Sequence, residues 1–405
     1  MNIKTRRRLL FFLIICFFLT GSGFLFYALG WSLNQTASGS FTLQKTGAIV
    51  LKTLPVNASI KINSQLYERQ HNLFGSKGWE LISGLLPGNY QIEVFENGLV
   101  SWQKNLTVAA GLVASASKIF LLPEKISLEP AVKTEVEKFW LTADKLKETK
   151  ELFYALKQKQ LKMPGWVPIT QIISYPFDTN KTLIMTQKAA YFLDREIFNL
   201  QVLALFPVKA AAINNSEIAL LDQKNNLQIY NLDSNQPTEN ISLDLSDKII
   251  KIAFSASQNR LAFLDNQGNL FIYERISKKL KLVAEKIKNF HFSPDSKKIA
   301  LLTQNQQIEI LFLENYHSDF KMAAGETIKL NLMTCDVVNF DWLPEFPDYL
   351  IINTPEKIII TETDYRSTLN QWPLAEKVSD FSFDKENNLY FSKENQFFKI
   401  IWKIN

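Results

Sequence analysis

Three histidines, His71, His291 and His317, are the only imidazoles in the chain. They are far apart in sequence, and no two have the spacing of metal ligands. His291 alternates with Phe290 and Phe292, so on a strand it faces away from both rings and has a structural role. His317 sits in a polar insert over 314–321, where it is expected to be solvated, and His71 lies in a loop-like stretch. Asp222, Asp265, Asp295, Asp341 and Asp384 recur near turn signals. An aspartate there bonds its own backbone and holds a tight turn. A rim of such groups would also attract Ca²⁺, but no Asp-x-Asp-x-Asp-Gly loop is present. Glycoside cleavage needs two carboxylates converging on one bond, which spacing alone does not show. There is no Gly-x-Ser-x-Gly elbow, phosphate-cradling loop or dinucleotide fingerprint. The reading is of no catalytic, cofactor-binding or metal residues. The better lead is aromatic. Trp79, Trp166, Trp342 and Trp372 lie in or near loop signals, as does Trp402. Such rings grip a protein edge or a glycan. The first four, with His71, are the candidate partner contacts.

These residues ride on a repeated strand phrase. Ile218-Ala-Leu-Leu-Asp222, Leu261-Ala-Phe-Leu-Asp265 and Ile299-Ala-Leu-Leu-Thr303 are its strong copies. Weaker ones begin at Leu183, Leu350 and Leu389. A spacing of about forty residues signals a radial array of small sheets, which displays binding surface, not a single-core enzyme domain. The net charge of +5 is spread along the chain, too weak and diffuse for a nucleic-acid partner. Only two cysteines occur, Cys16 and Cys335, so there is no disulfide framework and core packing must supply stability.

The N-terminus gives an address. Lys4, Arg6, Arg7 and Arg8 precede an uncharged run over 9–31. That run is long enough to span a bilayer as a helix, and its basic flank favours the cytoplasmic side. The bulk is then extracytoplasmic. A cleaved signal peptide is the rival reading, with Ala28-Leu29-Gly30 as its small-residue site. Residues 32–46 are polar and read as a tether.

From Gly47, short alternating runs are separated by turns at Pro55-Val-Asn-Ala58, Leu86-Pro-Gly88 and Asn97-Gly98. They predict a compact antiparallel β domain. This stretch resembles the PEGA domain, a small β-sandwich module of microbial envelope proteins. The matching residues are Gly47, Pro55-x-x-Ala58, Ile60-x-Ile62-Asn63, Leu86-Pro-Gly-x-Tyr90, and the pair Gly98 and Trp102. The family's Gly-x-Thr-Pro turn is replaced here by the longer stretch 70–79. The resemblance implies a non-enzymatic attachment or spacer module and brings no catalytic residues.

Beyond a linker, 135–160 is the most helix-like segment, and Pro164, Pro168 and Pro176 interrupt any periodic element after it. The fullest repeat runs from Ile287 through Phe292-Ser-Pro-Asp295 to Thr303, with a further strand at 307–313. With its Phe-Ser-Pro-Asp-x-x-x-Ile-Ala phrase, this half resembles WD40-like and TolB-like β-propellers. The Gly-His and Trp-Asp pairs of true WD40 repeats are absent. Six units start near residues 169, 208, 249, 287, 337 and 378. The last has room for only about three strands, so ring closure needs a strand from upstream. Six blades are expected, or seven if 135–160 is itself a degenerate blade.

The expected chain is thus mainly β. It has a basic tail (1–8), a transmembrane anchor (9–31), a tether (32–46), a PEGA-like sandwich (47–123), a linker with a helix and a ring-closing strand (124–168), and a propeller (169–405). The function expected is binding of an envelope protein or glycan outside the cytoplasm, without turnover. Two alternatives stand beside it. One is a propeller hydrolase or lyase acting on envelope polysaccharide. The other is an accessory or sensor subunit of an envelope complex.

Overall fold

The computed structural model describes residues 3–28, 30–35, 41–69, 78–132, 136, 169–174, 181–194, 199–232, 234, 236–245, 248–332, 336–384, 386–394 and 396–400. The helix expected over 135–160, Val136 apart, lies outside these residues. So do the candidate contacts His71 and Trp166.

The chain opens with a helix, Ile3–Ala28. Within it, Thr5–Phe26 is long and apolar enough to cross a membrane. At 1.5 Å per residue that stretch is about 33 Å long, near the ~30 Å hydrocarbon core of a bilayer. Its large side chains face outward, Phe24 being 75% exposed. Two of its hydroxyls are satisfied internally: Thr20 Oγ1 donates to Cys16 O at 2.8 Å and Ser22 Oγ to Leu19 O at 3.0 Å. Apolar surroundings require this of every polar group. The expected anchor stops short at Ala28, and a strand pair, Trp31–Gln35 with Phe41–Lys45, takes up its last residue Trp31 and part of the segment read as a tether.

Two small sheets come next. One holds Trp79–Leu85, Gly47–Leu54 and Val113–Phe120 in that order. The other holds Gln65–Tyr67, Ser59–Ile62, Gly88–Phe95 and Trp102–Val108. Period-two burial is clearest in Trp102–Val108, where every second residue is buried. The inward positions, among them Ile49, Leu51, Ile60, Ile92 and Leu106, form one core. Gly47 is needed at a close approach: a Cβ there would meet Ala109 O and Val108 Cγ1 at 2.5 Å. One pairing corrects the all-antiparallel expectation. Gly47–Leu54 and Val113–Phe120 run parallel. After Trp102–Val108 the chain crosses from one sheet to the other and enters beside the first strand in its own direction.

Six four-stranded sheets occur among the described residues of the remainder, all antiparallel between neighbours. Sheet I is Ile169–Ser174, Lys181–Thr186, Ala190–Asp194 and Asn199–Ala204. Sheet II is Val208–Ile213, Glu217–Asp222, Asn226–Asn231 and Pro237–Ser242. Sheet III is Ile249–Phe254, Arg260–Asp265, Leu270–Glu274 and Lys279–Ala284. Sheet IV is Ile287–Phe292, Lys298–Thr303, Ile308–Phe312 and Thr327–Lys329. Sheet V is Asn339–Leu343, Phe346–Asn353, Lys357–Glu362 and Gln371–Glu376. Sheet VI is Asp380–Phe383, Leu389–Lys393 and Gln396–Ile400, with Leu128–Pro130 as its outermost strand. That upstream strand supplies the partner which the short last unit lacks, Glu129 standing opposite Lys399.

The repeated phrase is the second strand of each sheet. In sheets II to V it is apolar on both sides because each of these sheets packs against one on either side. Shared cores join consecutive sheets: Leu183 with Leu220 for I and II, Leu221 with Phe263 for II and III, Leu264 with Phe290 for III and IV, Leu302 with Phe340 for IV and V. Sheets V and VI share Ile351 and Phe391, and their core is continuous with that of the small sheets.

The first strands have one free edge, and polar side chains blunt it. The side chains of Asn289, Asn339 and Asp380 each accept from the next residue's backbone N–H at 2.9 Å. The same groups tie sheet to sheet. Lys251 Nζ donates to Asn289 Oδ1 at 2.7 Å, and Asn339 Nδ2 donates to Asp380 Oδ1 at 3.1 Å. His291 Nδ1 stands 3.1 Å from Asp341 Oδ1. Burial pushes the Lys251 ammonium down to about 8, with Asp341 partly opposing.

The small sheets dock on sheet V through a buried polar cluster. Glu362, 3% exposed, accepts from Trp102 Nε1 at 2.8 Å and pairs with Lys104 Nζ. It also accepts from Asn370 N at 2.9 Å and Asn370 Nδ2 at 2.7 Å. Lys104 places its other protons on Asp364 O at 2.8 Å and Thr368 O at 3.2 Å. Removing one partner strands a buried charge, at about 3–5 kcal/mol, whereas an apolar pair of similar volume is far less costly. Lys104→Ala should therefore lower the urea midpoint strongly, and the double variant Lys104→Met with Glu362→Leu should recover most of the loss. Denaturant unfolding followed by tryptophan fluorescence measures both.

Candidate binding cleft

Where the small sheets meet sheet V, a cleft of about 360 Å³ opens. One wall comes from the first small strand and the turn after it, with Lys52 and Val56. The parallel strand adds Lys118 and Phe120. The opposite wall is the tight turn of sheet V between Asn339–Leu343 and Phe346–Asn353, with Glu345 and Phe346. Glu345 takes φ 67°, a left-handed conformation that closes this hairpin. The floor is aromatic. Phe120 and Phe346 stack with centroids 4.6 Å apart, and Tyr349 meets Phe120 edge-on at 5.9 Å. Tyr349 Oη donates to Lys118 O at 2.7 Å and accepts from Phe120 N at 3.2 Å. Burial, reinforced by Glu362, pushes its phenol well above the usual range. It is a hydrogen-bonding post, not a proton donor in chemistry at neutral pH.

Behind the floor lies a charged group. Asp348 takes an ammonium on each oxygen, Lys298 on Oδ1 and Lys118 on Oδ2, and Tyr316 Oη lies 3.3 Å from Oδ1. Burial works to raise the Asp348 carboxyl, but Lys298 and Lys118 outweigh it and hold the group below its ordinary value. Burial lowers Lys298, with Asp348 opposing. Arg69 fixes the turn on the near wall, donating to Val56 O, Ala58 O and, at 3.2 Å, Thr53 Oγ1.

The candidate contacts divide. Trp79 does not line the cleft but stands opposite its wall residue Lys52, 39% exposed, with Lys52 Nζ 5.4 Å from its ring centroid. Trp342 and Trp372 are each only 3% exposed and belong to packing. Trp342 Nε1 donates to His291 O at 2.9 Å between sheets IV and V, and Trp372 lies 6.0 Å from Tyr349 under the cleft. A buried ring offers a partner almost no surface, so the contact role expected for these two gives way to a structural one. His317 is exposed on the two-stranded insert of sheet IV, Tyr316–His317 with Lys321–Met322.

The aspartates behave as turn formers. Asp222 accepts from Lys224 N and Asn226 N, Asp265 from Gln267 N and Asn269 N, and Asp384 from Glu386 N and Asn388 N. In all three the Asn side chain four residues on also donates to the carboxylate at 2.8–2.9 Å. Asp295 accepts from Ser293 Oγ at 2.6 Å. Asp341 is the exception and faces His291 across two sheets. No group of three or more metal-ligating side chains occurs among the described residues. The cleft residues Lys52, Lys118, Glu345 and Phe346 carry no motif that singles them out in the sequence. The run Leu343-Pro-Glu-Phe-Pro347, an aromatic between prolines, is the one local sign of them.

The family model of the NUP159/214 beta propeller matches residues 199–370. With the sheets described above, it shows a propeller-like fold over this part of the chain. Two similar solved structures are the hydrazine synthase of Kuenenia stuttgartiensis and the Pan2 WD40 domain of Neurospora crassa. Each has 12% identity, a TM-score of 0.40 and coverage of 57% of this chain, with 76% and 74% of the respective other chain covered. No curated protein matches the sequence.

The cleft's charge group has a pH signature. A carboxyl held below its ordinary value contributes full stability above that value, and the contribution is lost as pH falls through it to the folded one. At neutral pH, Asp348→Asn should lower the melting temperature by several degrees, because it leaves Lys298 buried without its anion. Below pH about 4 the gap to wild type should narrow, since protonation then removes the same charge. Melting curves from pH 3 to 7 measure this.

Proposed function

We propose that this chain is a non-enzymatic, single-pass envelope protein that holds a partner at the cleft. In this reading the helical part of 9–31, which ends at Ala28, spans the bilayer with the basic N-terminus cytoplasmic. The small sheets are a PEGA-like spacer, and sheets I to VI form a six-bladed propeller outside the cytoplasm. Lys4, Arg6, Arg7 and Arg8 beside the apolar helix support the orientation. The Pro55-x-x-Ala58 and Leu86-Pro-Gly88 turns support the PEGA assignment. The upstream strand Leu128–Pro130 supports a ring closed by its own two ends.

The observation that carries the function is the cleft itself. It has an aromatic floor and a rim with both signs of charge from Lys52 and Glu345, and the exposed ring of Trp79 stands over Lys52 beside it. These are the features of an anchor pocket surrounded by orienting charges. The mixed rim matches an extended segment of a partner protein better than a neutral glycan. The lining carboxylate Asp348 is occupied by two ammonium groups, which leaves it unsuited to acid or base work.

Photo-crosslinking tests the reading. A photoreactive residue at Trp79 or Glu345 in intact cells should yield an adduct of one discrete mass, and the same residue at the exposed Ile276 of sheet III should not. Equal labelling at all three positions, or none, rejects the cleft as the binding site. Protease added to intact spheroplasts should degrade the propeller, and its protection would reverse the orientation.

A further inference from the structure

We propose that the hairpin Trp31–Gln35 with Phe41–Lys45 lies on the membrane, with Phe41 and Leu43 turned into the lipid surface beside the end of the helix. The inference rests on the reading that this helix spans a bilayer.

The hairpin is two-faced. Side chains alternate along a strand, so position 31 and its register partner 45 share a face with positions 43 and 41. That face carries Trp31, Leu43 and Phe41, with Lys45 at the base. The other carries Ser32, Thr42 and Gln44. A half-apolar sheet is the pattern of one face covered and one in water. On the apolar face Phe41 is 70% exposed and Leu43 51%.

Trp31 gives the direction of that face. Its ring meets Phe26 with centroids 6.4 Å apart and planes at 75°. Phe26 is the last residue of the apolar span. The face bearing Phe41 and Leu43 is therefore continuous with the side on which the helix stands. The base is clamped: Thr46 donates to Gly30 O through its N at 2.6 Å and its Oγ1 at 2.8 Å. Gly111 N in turn donates to Thr46 O at 2.9 Å, which brings Leu112, 63% exposed, beside the hairpin base. Residues 29 and 30 alone separate helix from hairpin, so a spanning helix leaves the base of the hairpin within one helical turn of the bilayer edge. An aromatic and a lysine at that depth match the interfacial belt, the ring in the headgroup layer and the ammonium reaching out to water.

Depth-dependent quenching tests this on the full chain in phosphatidylcholine vesicles. Cys16 and Cys335 are replaced by serine, and a fluorescent label is placed singly at F18C, L43C, Q44C or I276C. F18C should be quenched by nitroxides deep in the acyl chains. L43C should be quenched by shallow nitroxides several-fold more than Q44C, and I276C should not be quenched. F41C, on the same face, should repeat the L43C result. If L43C and F41C match I276C while F18C is quenched, the inference fails and the span stands. If F18C is not quenched, the spanning reading fails and this inference with it.

Discussion

Glu362 is a buried carboxylate that accepts four hydrogen bonds, and one donor, Trp102, lies 260 residues earlier in the chain. Neither half of the structure can satisfy this group alone. Sheet V supplies Asn370, and the small sheets supply Trp102 and Lys104. Burial raises Glu362, and Lys104, the Asn370 amide and the Trp102 indole oppose that. Undocking would expose the apolar core that both parts share and would also break this constellation. Around it run further ties. Asp319 of the sheet IV insert accepts from Ser117 N at 2.9 Å, and Arg366 Nη1 bridges Ser115 O and Asp319 O at 2.8 and 2.7 Å. The small sheets and sheet V are thus joined over a specific register.

A buried ion pair is a weak source of net stability but a strict test of alignment. The neighbouring apolar contacts, such as Phe120 on Phe346, would tolerate sliding by a fraction of a ring. The Glu362 cluster would not, because each displacement costs hydrogen bonds in a low-dielectric site. The first strands obey the same logic with weaker groups. Their free edges cannot pair with another strand, so side chains at one repeated position cap the backbone and cross to the next sheet. Polar residues there set the order of neighbouring sheets, and apolar wedges such as Phe290 and Phe340 supply the cohesion.

The sheets are legible in the sequence because their signals are local. A second strand rich in apolar residues recurs in each unit, an Asp-x-x-x-Asn turn recurs in three of them, and a three-strand last unit implies a donor strand elsewhere. The docking is not legible. Lys104 alternates with apolar neighbours in Trp102–Val108 as a core residue does, but nothing within that strand points to Glu362. Trp372 misleads because Pro373 comes after it and looks like a loop. Pro373 is in fact on an outer strand, opposite Ile359 next to a register shift, where no ladder N–H is needed. The parallel entry of Val113–Phe120 is equally hidden, since alternation is the same for either direction.

The cleft is a consequence of the docking more than a feature of either part. Val113–Phe120 reaches sheet V because the cluster around Glu362 holds the neighbouring strand Trp102–Val108 against it. That contact places Lys118 within reach of Asp348 and sets Phe120 on Phe346. Separate the parts, and the floor becomes two unrelated exposed rings. A partner that fits the cleft therefore binds only the docked form, and its binding stabilises that form by mass action. Coupling also runs the other way: Lys104 and Glu362 do not line the cleft, but a change at either reaches it through Trp102 and the floor residue Tyr349. The noncovalent constraint at Glu362 thus holds the two walls of the cleft in one arrangement.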